Sequence, residues 1–195
     1  YSFNNNNELK LDFYAISDCD TIVNITNHNY WNFHGHQLNY NNIKNHSIKI
    51  YANQYCETDS DSIPTGKLIN IDDTKFDFKK FVNIDDSILE NEGIDKCFAI
   101  DNFDGNLKKV AEVYSNLTNM GMVMYSDKPG LQFYTGNNIN DFIGKYNKIY
   151  DKNHGLCLES QFFPDSINHK NFISPILKKN TEYNSNIVIK LKNNF

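Results

Sequence analysis

The sequence predicts an all-β protein, a large antiparallel β-sandwich, and three features carry that expectation. Short runs rich in Ile, Val, Tyr and Phe recur from end to end, a composition that suits a pleated, half-buried surface. Asn, Asp and Gly separate them, as tight turns require. No long stretch shows a helical period, and helices do not alternate with the strands. Antiparallel pairing is therefore expected over βαβ units.

Taken in order, the expected strands are Leu9 to Ile16, Thr21 to Thr26, Ser47 to Ala52 and Lys108 to Ser115, then Gly121 to Ser126, Leu131 to Thr135, Gly155 to Gln161 and Asn186 to Lys192. The best helix candidate, Ile84 to Asn91, makes only about two turns and needs tertiary packing to persist. Thr58 to Phe81, with Pro64, Gly66 and scattered charges, reads as a surface excursion, and Asn137 to Asn153 as a second long loop. Loops of that length in a compact domain are often functional, so both are candidate walls of a ligand cleft. Residues 1–195 read as a single domain. The chain opens at Tyr1 within a strand-like pattern, which is expected of a segment from a longer protein.

Composition excludes some partners. A net charge of −5 argues against nucleic acid, whose binders display a basic stripe. Every basic residue is Lys, so no guanidinium fork is present to clamp a carboxylate or phosphate, and a neutral ligand fits better than an anionic one. No apolar run approaches the roughly 20 residues that span a bilayer, so no membrane partner is expected. Cys19, Cys56, Cys97 and Cys157 are far apart with no Cys-x-x-Cys, a pattern of free thiols in a reducing, cytoplasmic setting and not of a disulfide framework or zinc site.

The most informative stretch runs from Gly155 to Ser166. Strand alternation puts Leu156, Leu158 and Ser160 on one face and Cys157, Glu159 and Gln161 on the other. Glu159 is then a carboxylate among apolar neighbours. Burial disfavours its charged form and raises its pKa from about 4.3 toward neutrality, the profile of a general base.

If the extended pattern of Thr21 to Phe33 continues, Asn24, Thr26, His28 and Tyr30 share a face while Val23 and Ile25 pack on the other. His28 then sits on a polar, aromatic-lined surface where an imidazole with a pKa near 6.5 can present a proton. The plainer reading is a surface histidine in a polar loop. A metal cluster of His28, His34 and His36 is disfavoured, because His34-Gly35-His36 reads as a turn with no carboxylate or thiolate near it in sequence. No metal and no cofactor are expected.

Asp95 follows Gly93 at the start of an apolar strand; it can anchor a ligand hydroxyl or simply stabilise a turn. In Pro129 to Asn137, Gln132 and Tyr134 share a face, a polar and aromatic surface suited to a carbohydrate, or an ordinary edge strand.

Together these motifs, Asn24 to Phe33, Ile63-Pro64-Thr65-Gly66, Phe76-Asp77-Phe78, Gly93 to Phe98, Pro129 to Asn137 and Gly155 to Ser166, resemble in their order the aldose 1-epimerase, or galactose mutarotase, family. The similarity spans nearly the whole chain and is that of the C-terminal part of such an enzyme, a single incomplete domain over 1–195 with the N-terminal part absent. The resemblance implies a sugar cleft on one sheet of a supersandwich and anomer interconversion of a free hexose such as galactose or glucose, with no cofactor. It further implies Glu159 as general base, His28 as general acid, and Asp95 and Gln132 as binders of sugar hydroxyls. A monomer or weak dimer is expected. Two departures stand out. The family usually has His after the motif aspartate where this chain has Lys96, a residue able to salt-bridge Asp95. The family's N-terminal Asn-Arg pair and second histidine match no segment here, so the isolated segment is expected to have an incomplete cleft and little activity. A non-catalytic carbohydrate-binding sandwich and a relative acting on hexose 6-phosphate are the alternatives.

Overall fold

The computed structural model describes residues 1–36 and 42–195. In chain order the strands are β1 (Ser2–Phe3), β2 (Glu8–Ile16), β3 (Thr21–Ile22), β4 (His46–Ile50), β5 (Ala52–Thr58) and β6 (Pro64–Asn70). There follow β7 (Val82–Asn83), the one-turn helix α1 (Asp86–Leu89), β8 (Asp95–Ile100), β9 (Lys108–Ser115), β10 (Gly121–Ser126) and β11 (Gly130–Tyr134). The last are β12 (Phe142–Ile143), β13 (Ile149–Tyr150), β14 (Cys157–Gln161), β15 (Ile176–Leu177) and β16 (Glu182–Lys192).

These strands form a seven-stranded sheet in the order β1-β2-β16-β10-β9-β4-β7 and a five-stranded sheet in the order β14-β11-β8-β5-β6, with all the paired neighbours antiparallel. The two sheets face each other across one apolar core. Ile48, Val113, Met122 and Ile187 come from the larger sheet, and Phe98, Leu131, Phe133 and Leu158 from the smaller. Phe78 plugs the gap, meeting Phe98 and Phe133 edge-on with ring centroids 5.8 and 5.5 Å away. Alternation is strict where it matters: in β16, Tyr183, Ser185, Ile187 and Ile189 are buried while their neighbours are not. A face made of every second residue of β14, β11 and β8 is thereby left outside the core.

Three expectations need correction. The strand expected over Thr21 to Thr26 stops at Ile22, because Val23 N–H turns to Pro175 O and the Asn24 side chain takes over the pairing beyond it. The helix expected over Ile84 to Asn91 shrinks to Asp86–Leu89, capped by the Asp85 side chain on Ser87 N–H, and Asn91 and Glu92 take positive φ that no helix continues through. The Thr58 to Phe81 excursion contains β6, which pairs with β5 at the sheet edge.

Candidate active site

β14 supplies the floor. Its register sets Gln132 directly opposite Glu159 and Tyr134 opposite Cys157, while on the far side of β11 Cys97 faces Gln132 and Asp95 faces Tyr134. Glu159, Gln132, Cys157, Tyr134 and Asp95 thus share the face turned away from the core. Gln132 Nε2 donates to Asp95 Oδ1 at 2.6 Å, which fixes the amide orientation and leaves Gln132 Oε1 buried without a hydrogen-bond partner. An orphaned buried acceptor of this kind calls for a donor from a ligand. Gly93 makes the entry to β8 possible: it holds φ +64°, and a Cβ there would lie 2.2 Å from Asn137 Oδ1.

His28 arrives on a segment that runs along the open edge of β14. Trp31 and Leu156 exchange backbone hydrogen bonds of 2.7 and 2.9 Å. Counting back three residues on one chain and forward three on the other brings His28 level with Glu159. Beyond it Asn24 imitates a strand neighbour, accepting from Phe162 N–H at 2.9 Å and donating to Phe162 O at 3.2 Å. The segment's far end is held by the buried His46, whose Nε2 accepts from Phe33 N–H at 2.9 Å while its Nδ1–H donates to Ile43 O at 2.9 Å. Asn24 therefore points at the backbone of Phe162, just past the end of β14, and not, as the alternation implied, into the same space as His28.

The result is a pair. His28 Nε2 lies 3.4 Å from Glu159 Oε1, the imidazole half exposed and the carboxylate 11% exposed. Burial pushes the Glu159 carboxyl above its ordinary range; His28 pulls the other way, and the Asp95 charge adds to the rise. Tyr30 stacks obliquely on His28 at 5.0 Å and meets Tyr134 edge-on at 6.4 Å. His28, Glu159, Asp95, Gln132 and the two tyrosines line a cleft of about 450 Å³, and beyond Tyr30 and Tyr134 opens a cavity of about 860 Å³. Among the described residues, the lining of the larger space holds no carboxylate. The His28–Glu159 pair lies in the smaller.

The fold and this geometry can be set beside known proteins. A family model described as aldose 1-epimerase matches residues 1–190. The chain belongs to the aldose 1-epimerase family. Similar relatives include an aldose 1-epimerase of Streptococcus thermophilus, 33% identical over 96% of this chain and 54% of its own length, and a galactose mutarotase of Mus musculus, 34% identical over 91% and 52%. Among solved structures, an aldose epimerase homologue from C. elegans aligns with all of this chain and 59% of its own (TM-score 0.88, 23% identity). A galactose 1-epimerase from Lactobacillus acidophilus aligns with 99% and 55% (TM-score 0.81, 23% identity). This aldose 1-epimerase family chain spans about half the length of the relatives it matches.

All four residues singled out from the sequence, His28, Asp95, Gln132 and Glu159, line the same cleft. The early histidines diverge: His34 packs on His46 with ring centroids 4.2 Å apart, and His36 Nδ1 meets the Tyr150 hydroxyl at 2.7 Å. Lys96 does not blunt Asp95, for it points to the opposite face of β8 and its ammonium donates to Thr58 Oγ1 at 2.6 Å. Sequence reasoning missed the supporting parts, Asn24 as a clamp, His46 as an anchor and Cys157 buried beneath the cleft beside His28 and Glu159. Only the last had a signal, since alternation already placed it beside Glu159.

Proposed function

We propose that the full protein is an aldose 1-epimerase that interconverts the α and β anomers of a free hexose, galactose or glucose, with Glu159 as base and His28 as acid. The carrying observation is the 3.4 Å approach of His28 Nε2 to Glu159 Oε1. The anomeric hydroxyl and the ring oxygen are bonded to one carbon, so the groups that serve them must be neighbours on one side of the sugar. Glu159 takes the proton of the O1 hydroxyl as the C1–O5 bond breaks, and His28 gives its Nε2 proton to O5, so neither a free alkoxide nor an oxonium forms. The open-chain aldehyde rotates about C1–C2. O5 then attacks the other carbonyl face, returning its proton to His28 while Glu159 returns the first one to O1.

Asp95 and Gln132 would hold sugar hydroxyls. Gln132 Oε1 needs a donor, and Asp95 keeps acceptor capacity beyond its bond to Gln132. The tyrosines offer ring faces to the apolar side of the sugar. The chain covers 54% and 52% of two of its relatives, which supports a reading in which further sugar contacts come from outside residues 1–195. Among the described residues the cleft lining carries no Lys, favouring a neutral hexose over a hexose 6-phosphate. Free thiols at all four cysteines suit the reducing cytoplasm, and a monomer or weak dimer completes the reading.

Polarimetry on freshly dissolved α-galactose and α-glucose tests it, comparing the full-length protein with Glu159→Gln. Rapid decay of rotation with the first and near-spontaneous decay with the second is the expected result. Equal decay would remove Glu159 from the mechanism.

A further inference from the structure

The proton-transfer scheme gives Cys157 no task, yet its thiol lies on the same face of β14 as the Glu159 carboxylate, with the His28 imidazole beside both. His28, Cys157 and Glu159 each offer a donor atom, and the three atoms lie within 4.8 Å of one another, the one such grouping found among the described residues. Imidazole nitrogen, thiolate sulfur and carboxylate oxygen are each ordinary ligands of Zn²⁺. With metal–donor bonds of about 2.0 to 2.3 Å, donors on a tetrahedral ion stand roughly 3.5 Å apart. The His28–Glu159 pair is already at 3.4 Å. Cys157 is fully covered with the Tyr30 hydroxyl beside its thiol; Tyr30 is 51% exposed, so its side chain has solvent to swing into.

We propose that a soft divalent cation, with Zn²⁺ as the type, binds His28 Nε2, Cys157 Sγ and the Glu159 carboxylate within the sugar cleft and thereby withdraws both proton carriers from catalysis. As the zinc–sulfur bond forms, the S–H bond breaks and its proton passes to buffer, and the hydrated ion gives up water to the three protein donors. The remaining position keeps a water. Metal capture does not depend on the enzymatic reading; its inhibitory consequence rests on it. The groups near the thiol are Glu159 on its own strand, His28 and Tyr30 from the edge segment, Tyr134 opposite it on β11, and Asp95 on β8, whose charge reaches it. Burial and the Glu159 and Asp95 charges hold the thiol protonated, so the metal must displace that proton and binding tightens as pH rises.

The test uses the full chain, reduced and metal-free. Titration with Co²⁺, followed by the thiolate-to-cobalt charge-transfer band and by competition with Zn²⁺, is expected to saturate at one equivalent. Cys157→Ser should abolish the band and weaken Zn²⁺ at least tenfold, and His28→Gln and Glu159→Gln should each weaken it at least fivefold. Cys19→Ser should leave the band unchanged. Absence of the band, its survival in Cys157→Ser, or its loss in Cys19→Ser overturns the proposal. If Cys157→Ser fails to fold, the double variant His28→Gln/Glu159→Gln decides: retention of wild-type Zn²⁺ affinity there overturns the site. The band without mutarotation would sink the enzymatic reading and leave the metal site standing; mutarotation without the band would do the reverse.

Discussion

Asn24 holds both backbone groups of Phe162 with one side-chain amide, at 2.9 and 3.2 Å, and so fixes one end of the segment that carries His28. Phe162 is itself anchored, its ring lying 5.4 Å from the ammonium of the buried Lys128, which pairs with Asp127 at 2.9 Å. The amide matters because it supplies a donor and an acceptor in one plane, as a neighbouring strand would. Asn24→Ala loses both bonds. Asn24→Asp keeps an acceptor for Phe162 N–H but turns a negative charge on Phe162 O. Misplacement of a reacting group by about 1 Å can cost on the order of a hundredfold in rate. Both variants are therefore expected to lower kcat by roughly that factor with little change in KM, since Asn24 does not touch the sugar. Steady-state polarimetry checks this, and a KM change without a kcat change would place Asn24 elsewhere in the mechanism.

Removing either of the proposed proton carriers should affect turnover far more than binding. A positioned acid or base contributes about a hundredfold to ten-thousandfold, so Glu159→Gln and His28→Asn should each lose that much kcat. The proposed mechanism needs an ionised carboxylate and a proton-bearing imidazole together, which predicts a bell-shaped pH dependence for the wild type. The acid limb should lie above the ordinary carboxylate range, because burial raises Glu159. A rate profile falling only at a pH typical of exposed glutamate would contradict the buried base.

The all-β fold was legible because composition and turn residues act locally, and the inward and outward faces of β14 followed from alternation alone. The Asp95–Gln132 contact was not legible, since it depends on a register between strands 37 residues apart. β6 was hidden by Pro64 and Gly66, which signal a turn; an edge strand tolerates both, with Gly66 at φ +85° beside an irregularity in the β5 pairing. His28 does share a cleft with Tyr30 and Glu159, but not for the reason the alternation gave. The alternation around it suggested a strand, whereas a side-chain amide and one backbone pair hold the segment in place. His46 gave no sign, because its role comes from burial against Phe33 and His34 and not from its neighbours in sequence.

The raised Glu159 carboxyl also makes a prediction about stability. Between the ordinary carboxylate pKa and the raised value the folded state binds more protons than the unfolded one, so stability falls as pH rises through that window. Above it the ionised group weighs against the fold. Glu159→Gln, isosteric and neutral, is expected to unfold at a higher temperature than the wild type at pH 8 and to lose that advantage at acid pH, where the wild-type carboxyl is protonated. Thermal melts at matched ionic strength check it. A variant less stable than the wild type at pH 8 would mean that the carboxylate's contacts in the cleft outweigh the burial penalty.

His46 works in the opposite direction. Burial, with a smaller contribution from His34, pushes its pKa down to about 4, and the neutral ring is held by Phe33 N–H on Nε2 and Ile43 O on Nδ1–H. Protonating Nε2 would break the Phe33 bond. Between about pH 4 and the unfolded value near 6.5 the unfolded state binds more protons, so stability rises with pH across that window and is lost on acidification. The shift corresponds to about 3 kcal/mol. His46→Gln, which can still accept from Phe33 N–H but cannot titrate there, should be less stable than the wild type at pH 7, with the gap narrowing as pH falls toward 4. Urea unfolding at several pH values measures that gap. Because His46 anchors the segment bearing His28, acidification to about pH 4, where the folded ring itself takes up a proton, should slow the proposed mutarotation more in the wild type than in His46→Gln, and a stability gap that stays constant with pH would show that His46 titrates normally and does not gate the segment.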